Sequence, residues 1–271
     1  MIALRAGGRR DFGRPTPDRE TSIRSSPSLT LPRVMGHRGA AGVAPENTLA
    51  GLRAAAAMGV SWIEFDVMLS GDGVPVLFHD DNLERITGRK VAMARTPFAE
   101  LAKLDAGAWF GPGFSGEPIP SLEQALALAV ELGLTPNIEI KPTPRRDAAT
   151  AAAVVETIAR HWPGHRSGPL ISSFSRKALA VVRDRAPALP RALIAWRLPR
   201  DWEATAENLQ CASLHLRGLR LRAKTSAKVK RAGYQLAAFT INDPNRARRL
   251  IRLGVDCIIT DRPDTIAEAL R

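Results

Sequence analysis

The chain has 271 residues, enough to bury a large core in one large domain or two small ones. Hydrophobic residues make up 45% and charged ones 24%, an ordinary globular balance, and no run approaches the roughly 18 apolar residues of a membrane span. The net charge of +12 invites a nucleic-acid partner, yet the cations are mostly scattered arginines, aromatics are only 5%, and no nucleic-acid module interleaves them.

Residues 1–32 are rich in Arg, Pro, Ser and Gly and have no apolar period. They read as a disordered basic tail without the apolar core of a secretory signal, which makes the cytoplasm the default location. The sequence leaves open whether that tail belongs to the native product, and it leaves the oligomeric state open as well. Residues 33–271 read as one domain in which apolar runs alternate with amphipathic stretches. Strands are predicted at 33–37, 61–68, 74–79, 136–141, 169–173, 191–196, 212–216, 235–241 and 256–260. Cys211 and Cys257, the two cysteines, lie far apart in no ligand spacing, so neither a disulfide framework nor a zinc site is expected.

Helical patterns fill most of the gaps. One spans 46–58, with Leu49, Leu52 and Ala56 on one face. Another spans 121–132, where Ser121 and Gln124 form a capping-box signature. Ser175 is placed to cap a helix through Arg185, and Asn242 or Asp243 one through Leu253. The join helix–Gly–strand recurs in AMGVSWIEF, LGLTPNIEI, RAGYQLAAF and LGVDCIIT, as expected where a helix ends on glycine before a strand. Repeated βα units over about 235 residues predict an α/β fold closed as a TIM (β/α)8 barrel. An open doubly wound sheet is the runner-up, but the first strand lacks a Gly-rich phosphate fingerprint.

Two features strain that reading. Nine strands are one too many for the barrel, so one must be peripheral or misassigned. Only Ser70, Gly71, Asp72 and Gly73 separate the second strand from the third, too few for a helical crossover. The stretch 80–120 then reads as an insertion over the site.

Ionisable residues stand near the C-terminal ends of four of the apolar runs: His37 and Arg38 in VMGHRGA, Glu64 and Asp66 in WIEFDV, His79 and Asp80 in PVLFHDD, Glu139 and Lys141 in NIEIKP. Such groups are costly in buried strands unless paired or bound. Residues two apart share a strand face, so Glu64 pairs with Asp66 and Glu139 with Lys141, and barrel mouths gather such faces. Three carboxylates without soft ligands suit one divalent cation, Mg²⁺ or Ca²⁺. A buried ion network with Arg38 and Lys141 explains the same spacing equally well. His37 and His79 tip the balance, because two imidazoles at one mouth can serve as acid and base. With Arg38 and Lys141 as fixed positive charge for an anion, phosphoester cleavage is the reaction class these residues suggest. His161, His165 and His215 have no comparable setting and read as structural.

Taken in order, GHRGAAGVAPENTLAGLRAA, IEFDVMLSGDGVPVLFHDDNLERITG, GEPIPSLEQAL, NIEIKP, ISSF and FTINDP…LIRLGVDCIITDRPD resemble the glycerophosphodiester phosphodiesterase family across residues 34–268. Within it, NIEIKPT, ISSF, ASLHL and GVDCIITD are most similar to the cytoplasmic bacterial enzyme of the Ugp glycerol-3-phosphate uptake system. The resemblance implies a phospholipase-C-like barrel that hydrolyses glycerophosphodiesters with choline, ethanolamine or glycerol head groups to sn-glycerol 3-phosphate and an alcohol. It implies His37 and His79 as the acid–base pair, Glu64, Asp66 and Glu139 as metal ligands, and Arg38 and Lys141 as contacts to phosphate or supports of the metal site. The nucleophile is water or the substrate's own 2-hydroxyl, passing through a cyclic phosphate. Glu46, in Pro45-Glu46-Asn47-Thr48, reads either as a support of the site or as a helix-start acid.

The family commonly has Trp in the segment that here reads Phe239-Thr240-Ile241-Asn242, which alters the expected wall of the alcohol pocket. Phe110, Phe174 and Phe239 are candidates for that wall. Two alternatives to hydrolysis of deacylated diesters are a related phosphodiesterase acting on lysophospholipids and a non-enzymatic nucleic-acid-binding protein.

Overall fold

The structure, a computed structural model, describes residues 29–271. The strand β1 (Val34–Gly36) and helix α1 (Leu49–Ala57) lead into β2 (Trp62–Leu69) and β3 (Pro75–Leu77). Two short helices follow, α2 (Glu84–Thr87) and α3 (Phe98–Leu101). Helices and strands then alternate through α4 (Leu122–Glu131), β4 (Thr135–Ile140), α5 (Asp147–His161), β5 (Leu170–Ser173), α6 (Arg176–Arg185) and β6 (Arg191–Ala195). The last third holds α7 (Trp202–Asn208), β7 (Ser213–Arg217), α8 (Ala223–Arg231), β8 (Gln235–Phe239), α9 (Pro244–Arg252), β9 (Cys257–Thr260) and α10 (Pro263–Ala269).

All strands but β3 run parallel, and β1 pairs with both β2 and β9, which closes the sheet into an eight-stranded TIM barrel. The surplus ninth strand is β3. It lies antiparallel on β2, with Val67 opposite Leu77 and Leu69 opposite Pro75. The four-residue link predicted to be too short for a crossover is therefore a hairpin turn, which needs none.

Strand alternation sorts the two faces. Ile63, Phe65, Val67, Ile138 and Ile140 point outward into the main apolar cluster beneath the helices. Met35, Leu170, Ala192, Ala237, Cys257 and Ile259 form a separate interior cluster. The glycines of the four helix–strand joins, Gly59, Gly133, Gly233 and Gly254, all take left-handed backbone with φ between +70° and +87°. That conformation strains any residue with a Cβ, which is why glycine marks these joins in the sequence. Thr48, Ser121, Ser175 and Asp243 cap α1, α4, α6 and α9, and Ser121 with Gln124 completes the capping box.

Two expectations need correction. Residues 1–28 lie outside the described residues, but the last four positions of the expected tail, 29–32, do not behave as one. Leu31 is buried, Leu29 packs beside it against the interior cluster, and the Leu31 amide donates to Gln235 Oε1 at 3.2 Å. The insertion at 80–120 has a core of its own, contrary to expectation, while Asp80 at its start anchors His79. Leu83, Ile86, Met93, Leu101 and Ile119 pack with Met68, Val76 and Phe78 of the hairpin. Apolar side chains on an inserted loop bury themselves against the nearest apolar surface, here the hairpin face that continues the carboxylate-bearing face of β2 beyond the mouth. Among the described residues, no helix is long and apolar enough to cross a membrane.

Candidate active site

The C-terminal mouth of the barrel gathers the expected polar residues. Glu64, Asp66 and Glu139 each offer an oxygen, and the three oxygens lie within 4.8 Å of one another. Parallel register accounts for this: Asp66 sits opposite Glu139 on the neighbouring strands β2 and β4, and Glu64 lies one interior position below Asp66. Lys141 Nζ stands 3.0 Å from Glu139 and 3.3 Å from Asp66, and Arg38 Nε stands 3.1 Å from Asp66.

The charges are unevenly held. Burial works against the Asp66 carboxylate, but Arg38, Lys141, His79 and a hydrogen bond from Asn47 outweigh it and hold its pKa well below the carboxylate range. Glu64 is pushed up to about 8, first by burial and then by the charge of Asp66. Glu139 is raised for the same two reasons. Three acids thus face two fixed cations, and the buried Glu64 Oε1 has no hydrogen-bond partner. An orphaned carboxylate oxygen among hard oxygen donors fits a divalent cation of the Mg²⁺ or Ca²⁺ type.

Each imidazole is anchored through Nδ1. His37 donates to Asp261 Oδ1 at 2.6 Å, and its Nε2 lies 3.9 Å from Glu64. His79 donates to Asp80 Oδ1, also at 2.6 Å. Burial disfavours a charged His37, yet Asp261 and Glu64 more than offset it and raise its proton affinity. At His79 burial prevails over Asp66, with Arg38 and Lys141 adding to it, and the proton affinity falls. His79 does not come from an equivalent strand end, as its sequence setting suggested. The hairpin carries the chain past the mouth on β2 and back on β3, and the Phe78 amide donates to the Asp66 carbonyl, so His79 returns to the level of the carboxylates.

The first strand's exit is tightly built. Arg38 and Asn47 both have positive φ, 50° and 57°. That strain is held by the Arg38 amide donating to Glu64 Oε2 at 2.9 Å and the Asn47 amide donating to the Arg38 carbonyl at 3.1 Å. A Cβ on Gly39 would lie 2.6 Å from the backbone of Gly51, so glycine alone lets α1 approach this turn. Glu46 is not the cap of α1, a role taken by Thr48. Its carboxylate accepts from Arg38 Nη1 at 2.6 Å and from Arg85 Nη2 at 2.7 Å. Arg85 Nε in turn donates to Asp80 at 2.6 Å. A continuous chain of ion pairs therefore ties Arg38 to the anchor of His79.

A cleft of about 250 Å³ opens above these groups, lined by His37, Arg38, Asp66, His79, Glu139 and Lys141 on its polar side. Its apolar side is Phe174, Trp196, Leu219 and Phe239. Phe174, Trp196 and Phe239 pack mutually, with ring centroids 5.2 to 6.1 Å apart. Phe110 is not in this wall; it packs edge-on against Trp109 and Phe114 within its own loop. None of residues 80–120 lines the cleft.

The sequence reading passed over Asp261, Arg85, Asn47 and Trp196. Asp261 and Trp196 directly follow the strands β9 and β6, the same position that marked the other acids and imidazoles. His215 points into the barrel interior beside Glu64 and Asn137, and burial alone lowers its pKa to about 3.

Fold and mouth together define a TIM-barrel phosphodiesterase. Residues 37–265 match the Glycerophosphoryl diester phosphodiesterase family. A glycerophosphodiester phosphodiesterase of Caldanaerobacter subterraneus is 32% identical over 239 residues, covering 88% of this chain and 97% of that protein. An Oleispira antarctica phosphodiesterase, solved in complex with the product sn-glycerol-3-phosphate, superposes with a TM-score of 0.86 at 41% identity, covering 89% of this chain and 97% of that one. A glycerophosphodiester phosphodiesterase from Agrobacterium tumefaciens gives a TM-score of 0.72 at 26% identity, over 88% of this chain and 100% of that one. The chain belongs to the glycerophosphoryl diester phosphodiesterase family and is a phosphodiester hydrolase. The finer likeness to the Ugp-system branch rests on the sequence motifs alone.

Proposed function

We propose that the cleft hydrolyses glycerophosphodiesters to sn-glycerol 3-phosphate and an alcohol, with His37 and His79 as the proton-transferring pair. The observation that carries this reading is the shared arrangement of the two imidazoles. Each has Nδ1 bound to its own carboxylate, Asp261 or Asp80, which leaves Nε2 of each for the reaction. One imidazole takes the proton of the attacking water, or of the substrate's 2-hydroxyl, and the other returns a proton to the departing alkoxide; on the second route water then opens the cyclic phosphate to glycerol 3-phosphate. Arg38 and Lys141 stand on the same side of the cleft and attract the phosphate, while their own acids keep them from swinging away. The aromatic wall holds the carbon part of the substrate and keeps water from its far side.

Glu64, Asp66 and Glu139 would hold the divalent cation, and when bound it supplies charge neutralisation at a phosphoryl oxygen. The product complex of the Oleispira relative supports the choice of glycerol 3-phosphate.

The test is a coupled assay with glycerol-3-phosphate dehydrogenase over the choline, ethanolamine and glycerol diesters. Lysophosphatidylcholine in the same panel separates deacylated substrates from intact lysophospholipid. Substituting His37→Ala or His79→Ala should each lower turnover by at least about 100-fold while the thermal unfolding midpoint holds. Full activity in either variant would sink the assignment.

A further inference from the structure

Beside the catalytic cleft lies a second cavity, of about 380 Å³, between the segments that follow β6 and β7. Trp196 and Arg197 form one side, and Arg217, Arg220, Arg222 and Thr225 form the other. Trp196 and Arg217 also line the catalytic cleft, so the two spaces share a wall. The Arg217 guanidinium lies 5.4 Å from the centre of the Trp196 ring, a cation–π contact that fixes both partners of that wall.

The four arginines are exposed, and none is paired with a carboxylate among the described residues. Some surface arginines hold carboxylates, Arg176 that of Asp201, Arg183 that of Asp184 and Arg262 that of Asp264, while others such as Arg95 and Arg249 stand without an ion pair among the described residues; these four differ in sharing one hollow. Four unpaired like charges around one hollow repel one another, and an anion in the hollow relieves that repulsion. The nine-residue helix α8 also begins at this hollow, and its cap position, Arg222, offers no side-chain acceptor to the first amides. An uncapped helix start adds positive potential of the same sense. Guanidinium forks match phosphate oxygens two at a time, which favours phosphate over a spherical anion.

We propose that this hollow is a second anion subsite of the cleft, selecting glycerophosphodiesters whose alcohol carries a further phosphate. The proposal rests on the reading of the neighbouring cleft as the site of glycerophosphodiester hydrolysis. Arg220 and Arg222 line only the second cavity, so they can be changed without touching the catalytic groups.

The deciding experiment compares glycerophosphoglycerol with the same molecule bearing a phosphate monoester on its terminal hydroxyl, in the parent and in Arg220→Gln/Arg222→Gln. In the parent, kcat/KM for the phosphorylated substrate should exceed that for the plain one by about tenfold, the equivalent of one charge-assisted contact. The double variant should bring the ratio toward unity, chiefly through KM, with the plain substrate changed by less than about twofold. Equal turnover of both substrates by the parent, or a ratio unmoved in the variant, overturns the proposal. If the parent hydrolyses neither, the assignment of the catalytic cleft fails instead, and titration calorimetry with the phosphorylated compound decides here. Tighter binding to the parent than to the variant then supports the subsite; equal binding refutes it. Flotation with phosphatidylglycerol vesicles supplies the last arm. Vesicle binding lost in the variant, with the substrate ratio unchanged, assigns the charge to a lipid surface and overturns the substrate reading.

Discussion

Replacing Asp261 with Asn tests whether His37 works as an anchored imidazole. The Asp261 carboxylate accepts on both oxygens, from His37 Nδ1 at 2.6 Å and from Asn242 Nδ2 at 2.6 Å. An amide of the same shape has one accepting oxygen, so one of those donors must face an NH2 group. If His37 loses the contact, the cost is one charge-assisted hydrogen bond, about 1.5–3 kcal/mol, or roughly 10- to 150-fold in kcat/KM. The side chain is only 26% exposed, so part of that cost falls on the fold as well and the thermal midpoint should drop by about a few degrees. The pH profile is the sharper readout. Burial opposes the His37 proton, while Asp261 and Glu64 favour it. Removing the Asp261 charge leaves burial in place and lowers the proton affinity, so the limb of the rate profile governed by His37 moves to lower pH. Coupled turnover measured across the neutral range in the parent and Asp261→Asn decides the matter. Loss of activity with an unmoved limb would show that Asp261 merely shapes the loop, and full activity would remove it from the mechanism.

Three further outcomes follow from the same structure. Chelation with EDTA should abolish turnover and added Mg²⁺ or Ca²⁺ restore it; the ion should also raise the parent's stability by about 2.7 kcal/mol at 100 times its Kd, but not that of Glu64→Gln, as differential unfolding would report. His215 is buried neutral with its pKa depressed to about 3 from 6.5. Its contribution is therefore complete above pH 6.5 and is lost as pH falls toward 3, because only the unfolded chain binds the proton there, at about 1.4 kcal/mol per pH unit. Urea unfolding of His215→Gln between pH 7 and 4.5, compared with the parent, should show that much less slope, and parallel curves would contradict the burial argument. Leu31→Ala should lower stability by about 2 kcal/mol or more in the same urea assay, as for other buried leucines, whereas a tail residue would change nothing.

The sequence alone determined most of the scaffold and half of the site. Alternation within single strands put Glu64 beside Asp66 and Glu139 beside Lys141, and glycine after each helix marked four of the strand entries, because these are rules of local geometry. The cap at Ser121 was legible for the same reason. Tertiary structure decided what depends on where distant segments land. Asp261 reaches His37 across 224 positions of chain, a closure that only the pairing of β1 with β9 creates. His79 comes back to the carboxylates because β3 folds against β2, and a short apolar run looks the same in either direction. Phe110 left the expected wall because its nearest apolar partners were its own loop neighbours, and Trp196 took a place there because β6 ends at the mouth. Side chains two positions apart obey the backbone they share; side chains from different segments obey the packing of the whole barrel, and periodicity carries no record of that.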